Sequence, residues 1–171
     1  MSLLHRLFTP RRDPREGLRP LWHRIVELSR EPALYRDDGV ADTIAGRFDM
    51  IAALLALVLL RLERDGMAQE TVLLTELFVA DMDAQLRETG VGDMVVGKHI
   101  GRLVSVLGGR LGAFRDALAS GDATAFEAAL ERNVTMAAGR DTGSLARRLR
   151  TFADELAKLD GDEVLAGRIA L

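Results

Sequence analysis

Apolar residues recur along this chain at intervals of three and four, and the places where that rhythm breaks divide it into helices. Leu18, Leu21, Trp22, Ile25 and Leu28 mark a first helix. Pro20 falls in its first turn, where a missing N–H leaves no bond unmade, and the helix is expected to end near Glu31-Pro32. From residue 32 to residue 46 the rhythm is lost and Asp37, Asp38, Gly39, Asp42, Thr43 and Gly46 accumulate, which predicts an ordered loop. Asp42 or Thr43 caps a central helix that stops near Asp65-Gly66. Residues 50–60 of that helix are eleven apolar positions in a row. A bilayer span needs about 20, so the run predicts a helix buried on most sides within a bundle.

A third helix over residues 69–89 carries Leu73, Leu74, Leu77, Phe78, Met82 and Leu86 on one broad face, with Glu70, Glu76, Asp83 and Glu88 mostly elsewhere. Gly90 then stands where a left-handed cap is wanted and Asp93 where an N-cap acceptor is wanted. Residues 94–119 read as helix despite Gly97, Gly101, Gly108, Gly109 and Gly112. Each such glycine costs up to about 1 kcal/mol relative to alanine. That cost predicts close packing, with Gly97-x-x-x-Gly101 as a site of backbone approach and Gly108-Gly109 as a kink. Asp122 caps a helix reaching about residue 138. Leu145, Leu149, Phe152, Leu156 and Leu159 form the seam of the last long helix, and Val164, Leu165 and Ile169 a short terminal turn. No alternating strand pattern is present. The predicted fold is all-α, a single-domain bundle of five to seven helices.

Composition adds exclusions. The 171 residues suit one core, and 48% hydrophobic with 29% charged residues is a globular balance. With no cysteine, disulfides, thiolate metal sites and cysteine nucleophiles drop out. Residues 1–36 hold eight arginines against four acids, net +4, while residues 37–93 hold twelve acids against four arginines, net −8. Different faces are therefore expected to meet different partners. At the N-terminus, Leu3, Leu4, Leu7 and Phe8 fall on one helical stripe with Arg6, Arg11 and Arg12 nearby, a pattern suited to an anionic membrane surface and also to a frayed terminus. The expected division is a flexible or membrane-surface segment over residues 1–17 and a helical domain over residues 18–171. No secretory signal pattern is visible, which points to the cytoplasm, with peripheral contact at the cytoplasmic face of the inner membrane. The 21 arginines against 2 lysines suit a GC-rich bacterial genome.

Catalytic chemistry finds little support in the residues. His5, His23 and His99 are far apart and no His-x-x-x-His or Glu-x-x-His occurs, so no metal site is expected. Asp81 and Asp83, two apart on a helix, do not share a face. Gly108-Gly109-Arg110-Leu111-Gly112 lacks both the spacing and the preceding strand of a phosphate loop. The front arginines are not interleaved with aromatics, so sequence-specific nucleic-acid binding is not expected. A non-enzymatic binding protein without a cofactor remains.

Asp42-Thr43-x-x-Gly46-Arg47-Phe48, Leu57-Val58-x-x-Arg61-Leu62, Met82-Asp83-x-x-Leu86-Arg87-Glu88-x-Gly90-Val91-Gly92-Asp93 and Gly109-Arg110 resemble the ubiquinol-cytochrome c chaperone family in order and gaps over residues 32–135. The resemblance implies an assembly factor for the cytochrome bc1 complex that binds immature cytochrome b or another bc1 subunit, acting with the ribosome or a second small assembly factor. Carried over by position, Tyr35, Asp42, Arg47, Phe48, Arg87, Glu88, Asp93 and Arg110 are the candidates for partner-binding or fold-defining roles. Where many relatives carry a histidine in the central helix this chain has Leu54, so no haem-facing histidine is expected there. The rival reading is a peripheral membrane-surface helical protein without a bc1 client, using Leu3, Leu4, Leu7, Phe8, Arg11 and Arg12.

Overall fold

The computed structural model describes residues 13–88 and 93–171, with residue 86 and residues 93–100 described as backbone only. The expectations for Leu3, Leu4, Leu7, Phe8, Arg11, Arg12, the Gly90 cap and the side chains of Asp93 and His99 lie outside the described residues.

After a 3-10 turn at Pro14–Leu18, the described chain forms eight helical segments: α1 (Arg19–Leu28), α2 (Pro32–Arg36), α3 (Ile44–Arg64), α4 (Ala68–Glu88), α5 (Asp93–Ala119), α6 (Ala123–Asn133), α7 (Gly143–Lys158) and α8 (Gly161–Leu165). Six of these have ten residues or more, while α2 and α8 are five-residue pieces. The all-α bundle is as predicted.

The core is built around α3. Met50 to Leu59 are buried without a break, because α1, α4, α5 and α7 all pack against this helix. A helix so enclosed has no polar face to spare, which accounts for its uniform sequence. Thr43 supplies the cap, its hydroxyl accepting from the Gly46 amide at 3.1 Å. At the other end Gly66, at φ 73°, turns the chain into α4. The α7 seam sinks Leu145, Leu149, Phe152 and Leu156, on the order of 10 kcal/mol of burial at about 1.5–3 kcal/mol per side chain. Phe114 of α5 meets Phe126 of α6 edge-on, centroids 5.2 Å apart. Among the described residues no helix is long and apolar enough to cross a membrane.

Three expectations need correction. The segment read as loop from residue 32 contains α2, because Pro32 occupies the first turn with its φ already helical. The helix expected to reach residue 138 ends at Asn133: Val134 turns extended, and Met136 pairs with Val40 in an antiparallel bridge. Main-chain groups at residues 39–41 need partners, and the chain leaving α6 supplies them, Thr135 O accepting from Ala41 N and Gly39 O from Ala137 N, both at 2.9 Å. Finally, the α5 glycines from Gly101 onward are not tightly packed, while the surroundings of Gly97 lie outside the described residues. A methyl group built on Gly101, Gly108, Gly109 or Gly112 would meet nothing within 4 Å, and α5 runs through Gly108-Gly109 as continuous helix.

Candidate functional site

The segment at residues 37–43 is held from beneath. Val40 is buried and bridged to Met136. Asp38 is 2% exposed and accepts from the Ser144 hydroxyl at 2.6 Å and from Arg148, fastening the segment to α7. Ala41 lies so close to α3 that a Cβ at residue 46 would run into its carbonyl oxygen, which is why Gly46 stands in the first turn.

On this base sits a surface cluster. Arg47 donates to Asp42 at 2.7 Å, and its guanidinium lies 5.6 Å from the centre of the Tyr35 ring. The Tyr35 hydroxyl donates to Ser29 O at 2.5 Å, and burial holds its pKa above the ordinary value, so it remains a neutral donor. The pair with Asp42 in turn raises the Arg47 pKa. Beside them, at the first residue of α3, Ile44 is 90% exposed. Phe48, one turn on, is half-buried with its ring 6.1 Å from Phe78, whose opposite neighbour is Trp22 at 6.0 Å.

Tyr35, Asp42 and Arg47 are thus brought together. Arg87 and Glu88 lie at the same end of the bundle, since α3 and α4 are packed neighbours of 21 residues each joined by a three-residue turn, which sets the start of α3 level with the end of α4. Both are exposed, and Arg87 donates to Asp83 at 2.9 Å. Arg110 is apart from the cluster. It is 2% exposed and ties α5 to α3 and α6, donating to Asp49 Oδ1 at 2.9 Å, to Asp49 O at 3.2 Å and to Asn133 O. Burial lowers its pKa and Asp49 opposes that shift.

Sequence patterns gave no signal for the buried roles of Asp49 and Asp38, since an aspartate reads as surface until its partners, about sixty and a hundred residues away, are placed. Ile44 was equally hidden, because an isoleucine next to a cap reads as core. An open groove of about 750 Å³ between α1 and α4, with Trp22, Leu77, Ala80 and Ala84 among its lining, was also not foreseen. Among the described residues no group of three or more His, Cys, Asp or Glu side chains is placed to hold a metal ion.

The family model described as ubiquinol-cytochrome C chaperone matches residues 36–171. Among solved structures the chain is similar to the crystal structure of the Cbp3 homolog from Brucella abortus, with 29% identity, a TM-score of 0.74, and coverage of 90% of this chain and 87% of that one. No curated protein sequence matches.

Proposed function

Since the chain belongs to the ubiquinol-cytochrome c chaperone family, we propose that it captures newly made cytochrome b during bc1 assembly and does so at the end of the bundle where α3 begins and α4 stops. The observation that carries this reading is Ile44, 90% exposed at the start of α3 and flanked by the Arg47–Asp42 pair. An apolar side chain held in water beside fixed charges gains about 1.5–3 kcal/mol when a partner covers it, and the surrounding charges select which partner and in what orientation. The client is an apolar helical segment of the immature subunit. Ile44 and Phe48 supply burial at one turn's spacing, and Arg47, Asp42, Arg87 and Glu88 form the polar rim. No bond is made or broken, and release follows when the proper partner subunit competes for the segment. Such a protein works in the cytoplasm or against the cytoplasmic face of the inner membrane.

The test is pull-down of tagged protein from cells making cytochrome b. Wild type should enrich that subunit. Ile44→Asp should reduce the enrichment about tenfold while leaving the thermal midpoint nearly unchanged, as expected for an exposed position. Absence of cytochrome b enrichment, together with normal bc1 absorbance in a deletion strain, would overturn the reading.

A further inference from the structure

We propose that the groove between α1 and α4 is a second docking site, taking an amphipathic helix of a partner protein that carries acidic side chains along one edge and basic ones along the other. The floor is apolar: Trp22 from α1 and Leu77 from α4. Ala80 and Ala84, one helical turn apart and both exposed, keep the α4 wall low enough for another helix to approach. Two turns of helix form a cylinder about 11 Å long and 10–12 Å across, on the order of 1,000 Å³. The groove, at about 750 Å³, is of comparable size.

Its charges define the occupant. Arg15 and Arg19 are matched by Asp13 and Glu16, and Glu27 by Arg24, at 2.7–2.8 Å. Arg30, in the turn just after α1, has no ion pair among the described residues, and Asp81 on the α4 wall receives only a long contact of 3.4 Å from Gln85. The two walls thus present unmatched charges of opposite sign. An anionic membrane is disfavoured by Asp81, and a uniformly charged helix meets one wall badly. A helix with one acidic and one basic edge satisfies both. No residue lining the groove belongs to the Ile44 cluster, and docking there is independent of the cytochrome b reading.

Trp22 is the only tryptophan, so its emission reports from the groove floor. The probe is a labelled synthetic amphipathic helix of about 14 residues, leucine and alanine on one face, glutamates along one edge and lysines along the other. Saturable anisotropy with a matching change in Trp22 emission is expected. Arg30→Glu and the groove-filling Ala80→Phe should each weaken binding about tenfold, with thermal midpoints showing that both variants fold. An all-lysine-edged probe should bind about tenfold more weakly than the mixed one. Equal affinity for wild type and Ala80→Phe would overturn the proposal. So would equal affinity for the two probes, or a Trp22 response to phosphatidylglycerol vesicles and none to the peptide.

Discussion

Asp49 spends both carboxylate oxygens inside the protein: Oδ1 accepts from Arg110, and Oδ2 accepts from the Thr135 amide at 2.9 Å and the Thr135 hydroxyl at 2.7 Å. One side chain on α3 therefore holds α5 and the segment after α6, the segment whose bridge to Val40 supports the 37–43 surface. Removing it leaves the Arg110 guanidinium buried against two carbonyl oxygens without a counter-charge. Asp49→Ala should cost about 3–5 kcal/mol, read as a lower midpoint in urea unfolding, whereas Asp42→Ala, which breaks only an exposed pair, should cost less than about 1 kcal/mol. Similar midpoints for the two variants would contradict the assignment of Asp49 as the buried tie. The contrast between two aspartates seven residues apart is invisible in composition and follows from what surrounds each carboxylate.

Helix α5 presents the opposite situation, since its sequence carries a cost that its contacts do not explain. Gly108, Gly109 and Gly112 sit inside a continuous helix with open space where their side chains would be. Replacing each with alanine should stabilise the protein by roughly 0.5–1 kcal/mol, because the unfolded chain loses freedom and nothing in the fold is displaced. Thermal unfolding of the triple alanine variant measures this directly, and a lowered midpoint would mean that these positions are packed after all. Gly46, by contrast, is required by the closeness of the Ala41 carbonyl. Two glycines in helical sequence look alike, and only the neighbour in space separates them.

Across the whole molecule the folded state draws on several carboxylates held below their ordinary pKa. Asp13 is lowered to about 2 by its hydrogen bonds with Arg15, Asp37 is lowered by Arg36, Asp65 by Arg61, and Asp122 by the Thr124 amide at the start of α6. A depressed carboxylate contributes stability that is complete above its unfolded value and is lost as protons arrive. The thermal midpoint should thus hold down to about pH 5 and fall as pH drops through about 4 toward 2. Asp65→Asn should flatten part of that acid limb, and an unchanged limb would exclude the Arg61–Asp65 pair from it. The all-α character, the enclosed central helix, the α7 seam and the Thr43 cap were all legible in the chain, because periodicity and capping are local consequences of backbone geometry. The family motif was legible as well, though not its reasons: Gly46 for a close approach, Arg61 to donate to Leu156 O at 2.8 Å and Leu159 O at 2.5 Å, and Arg110 to join three helices. The early end of α6, the open face of α5, the exposure of Ile44 and the α1–α4 groove were decided only by the tertiary structure. Each depends on which distant surfaces come within contact range, and local sequence carries no record of that distance.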